Sequence, residues 1–307
     1  MSLKKYIVTG SAGFIGYHLT LKLLSEGHTV LGVDIFNDFY DPDLKRARAA
    51  SIVSFCKSQG ISDRYQLVEI DLRDGKEVLN VLKEFSPDAV CHLAAQAGVR
   101  HSIDDPHSYI DNNITATLNL LEACQETSTS DFILASTSSV YGLSENMPFN
   151  EDTSIGTTIS TYSASKRACE LLCYTYHDLY SIRFRILRFF TVYGPWGRPD
   201  MALFKFTKSI IENQTIDVYN FGKMKRDFTY VEDIVSGFYA AIKSNLDYEI
   251  INLGCGDEPV ELSHFIETIE NTLSKKAKKN LLPIQSGDVP ASWADISKAK
   301  KLLNYNP

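Results

Sequence analysis

Short, continuous apolar runs alternate with longer amphipathic segments along most of the chain. Continuous apolar runs are typical of parallel strands covered on both faces, and the segments between them carry apolar residues at helical spacing. This alternation predicts an α/β fold with a doubly wound parallel sheet. The strands are expected near residues 5–9, 29–33, 65–70, 88–93, 131–136, 184–189 and 248–253.

The regular alternation ends near Phe190, where loops rich in glycine and proline begin. Short helices are expected beyond it, and a helix and strand between 231 and 255 return to the main sheet. An insertion after the second strand should be helical in its middle. We therefore expect a sheet domain of residues 1–190 and 228–255, a smaller C-terminal domain of residues 191–227 and 256–307, short helices at 200–212 and 260–276, and an inserted segment at 41–64.

The first apolar run leads into a glycine-rich turn and then a helix. Gly10, Gly13 and Gly16 permit a tight turn in which backbone N–H groups at the helix N-terminus approach a pyrophosphate. The second run ends in Asp34, where an acid can bond the hydroxyls of an adenosine ribose. Asp34 would repel a 2′-phosphate, and no cationic residue follows it directly. The motif therefore predicts a Rossmann-type sheet that binds NAD rather than NADP.

A tyrosine and a lysine lie four residues apart, at Tyr162 and Lys166. On a helix these positions share one face, so the lysine ammonium can approach the phenol and favour its phenolate. A phenolate beside a nicotinamide can remove the proton of a hydroxyl while its carbon is oxidised. The pair alone is weak evidence, because the same spacing occurs on many surface helices. With the glycine turn, it predicts oxidation of a hydroxyl.

Composition and charge exclude several other classes of function. The 307 residues carry a net charge of −7 and contain no basic run, which argues against a nucleic-acid partner. No apolar run approaches the roughly 20 residues of a membrane span. The six cysteines are scattered, with no Cys-x-x-Cys pair and no histidine at metal-ligand spacing. The sequence thus predicts a cytoplasmic protein with no metal and no membrane or nucleic-acid partner.

Several further motifs occur in one characteristic order. They are Thr9–Gly16, Asp71–Leu72, His92–Gln96, Asn113, Ser136–Gly142, Tyr162 with Lys166, Arg188–Arg198 and Arg226–Phe228. Together they resemble the extended short-chain dehydrogenases/reductases, and within that superfamily the nucleotide-sugar epimerases, over nearly the whole chain. The stretches Gln96–Arg100, Gly194–Lys205 and Gly222–Asp227 look like UDP-glucuronate 4-epimerases in particular.

This resemblance implies an NAD-dependent isomerase that converts UDP-glucuronate to UDP-galacturonate through a 4-keto sugar. It assigns Tyr162, Lys166 and Thr137 as catalytic residues. It assigns substrate binding in the C-terminal domain and nearby loops to Ser138, Ser139, Thr191, Arg198, Arg226 and Asp288. It assigns cofactor binding to Gly10, Ala12, Gly13, Phe14, Ile15, Gly16, Asp34, Asp71, Leu72, Leu93, Ala94, Ala95, Asn113 and Lys166.

Two serines separate the possible reactions. Dehydratases similar to this family carry Asp-Glu after the threonine, and UDP-glucuronate decarboxylases keep a glutamate before Val-Tyr-Gly. Here Ser138 and Ser139 occupy those places, so neither additional acid is present. Plain epimerisation is favoured over decarboxylation, and epimerisation of a neutral or N-acetylated UDP-hexose remains an alternative. A catalytically idle NAD-binding sensor would have no reason to retain Thr137, Tyr162 and Lys166 together.

The choice of a sugar acid depends on groups that bind its carboxylate. Arg198 offers a planar fork that matches a carboxylate, and Thr191 adds a neutral donor. The alternatives are that Arg198 pairs with Asp200 and that Arg226 is only a solvated loop charge. The apolar faces of helices expected at 104–126 and 162–180 could pair two subunits, so a homodimer is also predicted.

Overall fold

The computed structural model describes residues 3–144, 146–152 and 155–307. Its strands are β1 (Lys5–Thr9), β2 (Thr29–Asp34), β3 (Tyr65–Glu69), β4 (Ala89–His92), β5 (Asp131–Thr137), β6 (Arg183–Phe189), β7 (Thr191–Tyr193), β8 (Thr215–Val218), β9 (Lys225–Arg226), β10 (Phe228–Tyr230), β11 (Tyr248–Leu253), β12 (Val260–Glu261), β13 (Lys278–Leu281) and β14 (Ala291–Ser292). Its α-helices are α1 (Phe14–Ser25), α2 (Pro42–Gln59), α3 (Gly75–Phe85), α4 (His101–Asp104), α5 (Pro106–Tyr109), α6 (Ala116–Glu126), α7 (Thr161–Tyr180), α8 (Ala202–Ile211), α9 (Val231–Lys243), α10 (Leu262–Leu273) and α11 (Ser297–Leu303).

Seven of these strands form one parallel sheet in the order β11-β6-β5-β4-β1-β2-β3. All seven lie where the apolar runs predicted strands, and the predicted fold class is confirmed. The chain moves outward from β1 through β3 and then crosses to β4 on the other side of β1. The carboxyl ends of β1 and β4 therefore form the topological switch point, where parallel α/β sheets bind their ligands.

Both faces of the sheet are covered by apolar side chains. Ile7 and Val8, neighbours on β1, belong to two separate buried clusters because successive strand residues point to opposite faces. One cluster includes the buried face of α9, and the other includes residues of α6 and α7. This double burial explains why strands such as β1 and β4 are nearly continuous apolar runs rather than alternating ones.

The helix expected at about 104–126 is interrupted. It begins as α4 and α5, passes through a π-helical turn at Ile110–Thr115, and becomes regular only in α6. Pro106 begins α5, and Asp105 caps that helix by accepting the N–H of Ser108. A proline has no N–H to donate, so a continuous helix cannot pass through this position unchanged.

The remaining strands form three small sheets beside the carboxyl edge of the central sheet. β7 pairs with β10, β8 pairs with β13, and β9 lies between β12 and β14. The expected short helices at 200–212 and 260–276 correspond to α8 and α10. No helix within the described residues is long and apolar enough to cross a membrane.

Candidate functional site

A cavity with a volume of about 1400 Å³ follows the carboxyl ends of the central strands. Its wall continues onto the small sheets and α8. Most residues assigned from the sequence line it; they are Gly10, Gly13, Phe14, Ile15, Gly16, Asp34, Asp71, Leu72, Leu93, Ala94, Ala95, Thr137, Ser138, Ser139, Tyr162, Lys166, Thr191, Arg198, Arg226 and Asp288. Ala12 and Asn113 instead lie behind this wall, where both are buried.

The glycine turn leaves no room for side chains. Gly10 has a φ of 69°, and a Cβ atom there would lie 2.8 Å from the backbone nitrogen of Ala94. A Cβ on Gly16 would lie 2.0 Å from the carbonyl oxygen of Gly10. The turn therefore brings bare backbone to the cavity at the start of α1, as binding of a dinucleotide pyrophosphate requires.

Asp34 lies at the end of β2 and is nearly buried. Its carboxylate accepts N–H groups from Ala12 at 3.1 Å, Ile35 at 2.9 Å and Phe36 at 3.2 Å. Lys45 of α2 also approaches it, with Nζ 3.5 Å from Oδ1. No cation directly follows Asp34 in the sequence, but the helix of the insertion, α2, brings Lys45 back to it. The predicted contact with an adenosine ribose fits this carboxylate, whose position is fixed by its N–H donors.

Tyr162 and Lys166 lie in the first turns of α7. The helix begins after Ser160, whose hydroxyl accepts the N–H of Ser163 at 3.1 Å in a capping box. This cap fixes the start of the helix and thereby the direction in which Tyr162 enters the cavity. Lys166 lines the same cavity and is only 3% exposed.

Thr137 is the last residue of β5. Its hydroxyl donates to the Ser139 hydroxyl at 3.1 Å and accepts the Ser139 N–H at 3.2 Å. The strand end is thus capped by its own threonine, as the sequence alone would suggest. The same hydroxyl also lines the cavity that contains Tyr162, so the cap and a role at the reacting hydroxyl are compatible.

Asn113 supports the cavity from behind. Its amide oxygen accepts the Gln96 N–H at 2.7 Å, and its amide nitrogen donates to the Gln96 carbonyl at 3.1 Å and to Ser165 Oγ at 2.8 Å. Asn113 therefore joins the loop after β4 to the residue preceding Lys166. The assignment of Asn113 to cofactor contact remains a prediction.

His92, at the end of β4, is buried between two threonines. Its Nδ1 lies 2.7 Å from Thr9 Oγ1, and its Nε2 lies 3.0 Å from Thr117 Oγ1. Burial, with a smaller contribution from the positive Lys166, lowers the pKa of His92 to about 3. Thr9 Oγ1 also accepts the N–H groups of Leu93 and Ala94, each at 3.1 Å. The neutral ring thus belongs to a network that holds the loop after β4.

Arg198 lies in the cavity and is paired with Asp200. Its Nε and Nη2 atoms donate to the two carboxylate oxygens at 3.0 and 2.5 Å. Burial lowers the pKa of Arg198, but Asp200 outweighs that effect and the pKa is raised. The pairing with Asp200 considered from the sequence is therefore present, and it uses one edge of the guanidinium. Nη1, on the other edge, has no hydrogen-bond partner in the described part of the chain.

Arg226 and Asp288 line the part of the cavity that is formed by the C-terminal segments of the chain. Arg226 donates to the carbonyl of Lys225 at 2.8 Å, and burial lowers its pKa. Such a desolvated cation favours an anion beside it, which argues against a merely solvated loop charge. Asp288 accepts from Arg100 at 2.9 Å, and Arg100 lies 4.5 Å above the ring of Tyr219.

Sequence reasoning missed the contribution of residues 36–48. Phe39, Tyr40 and Lys45 line the cavity, and Arg48 is fully buried behind it. The spacing of Lys45 and Arg48 on one helix face was a weak signal, because such pairs usually face solvent. Among the described residues, no group of histidine, cysteine and acidic side chains could hold a metal ion.

The chain is similar to known proteins both in sequence and in structure. A family model described as "NAD dependent epimerase/dehydratase family" matches residues 6–254. The chain is 46% identical over 302 residues to the UDP-glucuronate 4-epimerase of Thermodesulfobacterium geofontis, covering 98% of this chain and 91% of that protein. It is 42% identical over 319 residues to UDP-glucuronate 4-epimerase 4 of Arabidopsis thaliana, covering 98% and 71%. The crystal structure of UDP-glucuronic acid 4-epimerase from Bacillus cereus, in complex with UDP-glucuronic acid and NAD, is similar with a TM-score of 0.89 and 37% identity, covering 99% and 94%.

Proposed function

The chain belongs to the NAD-dependent epimerase/dehydratase family, and we propose that it interconverts UDP-glucuronate and UDP-galacturonate by epimerisation at C4. The sequence predicted this family. One observation carries the proposal: the glycine turn, Tyr162 and Arg198 line a single cavity. One bound molecule can thus meet a cofactor held by the glycine turn, a base at Tyr162 and a cation for its carboxylate at Arg198.

The chain supplies the groups that move the proton. Tyr162, as its phenolate, accepts the proton of the C4 hydroxyl, and the buried ammonium of Lys166 stabilises that phenolate. Thr137 bonds the same sugar oxygen. NAD, when bound, supplies the hydride acceptor and donor, so the sugar is oxidised and reduced at one carbon without net redox change. The 4-keto sugar must turn over in the cavity before Tyr162 returns the proton.

The carboxylate of the sugar explains the role that we assign to Arg198 and Thr191. A 4-keto uronic acid is a β-keto acid and loses CO₂ readily when the C5–C6 bond aligns with the ketone. Arg198 can hold the carboxylate away from that alignment through its edge not taken by Asp200. Ser138 and Ser139 line the same wall as neutral donors, and no carboxylic acid occupies their places. This arrangement favours epimerisation over decarboxylation.

The nucleotide is assigned to the part of the cavity that Arg226 and Asp288 line. We propose that Arg226 binds the diphosphate and that Asp288 bonds the uridine ribose. The sugar is then assigned to the part of the same cavity that Tyr162 and Arg198 line. We also propose that residues 191–227 and 256–307 act as the part that binds the nucleotide sugar, and residues 1–190 and 228–255 as the part that binds NAD.

The test is incubation of the purified protein with UDP-glucuronate, without added NAD, followed by chromatography with mass detection. We expect a product of unchanged mass that co-elutes with UDP-galacturonate. A product lighter by one CO₂ would indicate a decarboxylase. Unchanged UDP-glucuronate, even with NAD added, would contradict the proposal, and neutral UDP-hexoses would then be tested in the same assay.

A homodimer is proposed through the exposed apolar side chains of α7. Leu171 and Tyr174 lie about one turn apart and are 54% and 55% exposed. Sedimentation velocity should show a dimer that Leu171→Glu dissociates, whereas Leu281→Glu, at a position 55% exposed on β13, should leave it intact. A monomeric wild-type protein would contradict the dimer.

A cytoplasmic location without nucleic-acid or membrane partners is also proposed. It is supported by the six cysteines, all of which are free thiols, five of them buried. Cell fractionation with an antibody to the chain tests the location, and recovery in a membrane or extracellular fraction would contradict it.

A further inference from the structure

Arg48 is a buried cation without a carboxylate partner among the described acids. Its side chain is fully buried, on the inner face of α2. Carbonyl and phenol oxygens accept all of its hydrogen bonds described here. A buried arginine is costly unless its donors are satisfied, so this set of acceptors is a specific arrangement rather than a surface contact.

These acceptors belong to three segments: the glycine turn with Ala12, the segment before α2 with Tyr40, and the loop before Arg198 with Trp196 and Gly197. Nε and Nη2 donate to the carbonyl of Trp196 at 3.1 and 2.6 Å, and Nη2 also reaches the carbonyl of Gly197 at 3.2 Å. Nη1 donates to the carbonyl of Ala12 at 3.1 Å and to the Tyr40 hydroxyl at 2.7 Å. One guanidinium therefore joins the glycine turn to the loop that precedes Arg198.

The loop that precedes Arg198 needs such support. Trp196 has a φ of 58°, a left-handed conformation that residues with side chains seldom adopt. Its ring packs 5.6 Å from that of Tyr17, and His18 bonds the carbonyl of Pro195 at 2.9 Å. Arg48 binds the two carbonyls that immediately precede Arg198, so it fixes the direction in which the chain delivers that side chain to the cavity.

We infer that Arg48 is a positioning residue that fixes Arg198 relative to the glycine turn and thereby sets the preference for a sugar acid. The inference rests on the proposed function and deepens it. Arg48 itself does not line the cavity, so its effect on the ligand is exerted through the loop. Lysine cannot replace it, because a single ammonium cannot span both loops in this fork geometry.

The experiment measures dissociation constants of UDP-glucuronate and of UDP for the wild type, Arg48→Lys and Arg48→Gln. Loss of hydrogen bonds to the loop should weaken UDP-glucuronate binding roughly tenfold. UDP binding should change less than about twofold, because Arg226 and Asp288 lie on other segments. In an Arg198→Ala background, the same Arg48 substitutions should weaken UDP-glucuronate binding further by less than about twofold. A larger share of decarboxylated product is expected as well.

Arg64→Lys is the matched control, since Arg64 also donates to a loop carbonyl, that of Gly27 at 2.9 Å, away from the cavity. Equal weakening of UDP and UDP-glucuronate, or a lowered Tm with both affinities unchanged, would overturn the inference. If neither Arg48 variant folds, His18→Ala tests the second tether of the loop, with the same selective loss expected. A wild type that leaves UDP-glucuronate unchanged contradicts the proposed function and this inference together, whereas wild-type affinities for UDP-glucuronate and UDP in the folded Arg48 variants contradict this inference alone.

Discussion

Glu170 and Arg188 form a bidentate ion pair beneath the reactive end of the sheet. Arg188 Nε lies 2.9 Å from Oε1, and Nη2 lies 2.8 Å from Oε2. Oε1 also accepts the hydroxyl of Ser136 at 2.6 Å. Glu170 follows Lys166 by one helical turn, and Ser136 precedes Thr137. One carboxylate therefore links α7, which carries Lys166, to β5, which ends at Thr137.

Removal of this acid should destabilise the protein strongly. Glu170→Ala leaves the Arg188 guanidinium buried and without its counter-ion, which costs about 3–5 kcal/mol in comparable pairs. Glu26→Ala is the control, because Glu26 forms an exposed ion pair with Lys22 and should cost no more than about 1 kcal/mol. Urea denaturation of both variants provides the free energies of unfolding. Similar losses in the two would show that the buried pair has no special role.

Tyr162→Phe should abolish most of the epimerisation. The variant lacks the group that accepts the C4 hydroxyl proton, so kcat should fall by about 10²- to 10⁴-fold. Affinity for UDP should be unchanged, because Arg226 and Asp288 are intact. Tyr174→Phe, on the same helix but 55% exposed, should retain full activity. Steady-state rates and calorimetry measure the two effects, and an active Tyr162→Phe enzyme would require another base.

Arg198→Ala should weaken UDP-glucuronate binding and release some pentose product. Hydrogen bonds to a charged group contribute about 1.5–3 kcal/mol, which corresponds to roughly a 10- to 150-fold loss of affinity. The freed carboxylate can also rotate into alignment with the 4-ketone and leave as CO₂. Mass detection of the products and titration of binding test both effects, with Arg64→Ala as the control. Unchanged affinity together with a clean epimer would exclude Arg198 from the carboxylate site.

Acid should destabilise the fold partly through His92. In the folded protein its pKa is about 3, whereas in the unfolded chain a histidine titrates near ~6.5. Between these values the unfolded state binds more protons, so stability falls as the pH is lowered from ~6.5 by up to about 1.4 kcal/mol per pH unit. His92→Asn should make this dependence shallower, and substitution of the exposed His107 by asparagine should not. Denaturation at several pH values between 4 and 7 distinguishes them, and parallel curves for wild type and His92→Asn would be contrary to expectation.

The sequence predicted inner strands of the central sheet such as β1, β2 and β4 well because they are buried on both faces. Runs such as Tyr6–Val8 and Phe132–Leu134 have no polar interruption, so their position follows from composition alone. The cavity residues followed from motifs at strand ends. The small sheets did not follow, since strands such as β9 and β12 contain two residues each and have no periodicity.

The contacts of the buried cations of α2, Lys45 and Arg48, could not be predicted from the sequence. Arg48 is satisfied by carbonyls that are separated from it by 148 and 149 residues in the chain. A backbone carbonyl exists at every residue, so no pattern in the sequence marks which ones a distant arginine will meet. The position of Lys45 could not be predicted from the sequence either. Its partner Asp34 was already assigned to the adenosine ribose, so nothing indicated that it also meets a lysine.

The position of β11 has a consequence for synthesis. β11 covers β6 from the outer side, yet β7 through β10, with α8 and α9, come between them in the chain. As the polypeptide leaves the ribosome, β6 therefore remains an uncovered parallel edge until this whole intervening segment has emerged. Such an edge can pair with other nascent chains, and pairing between distant strands is slow. The segment between β6 and β11 thus also sets how long this edge of the unfinished sheet stays unpaired.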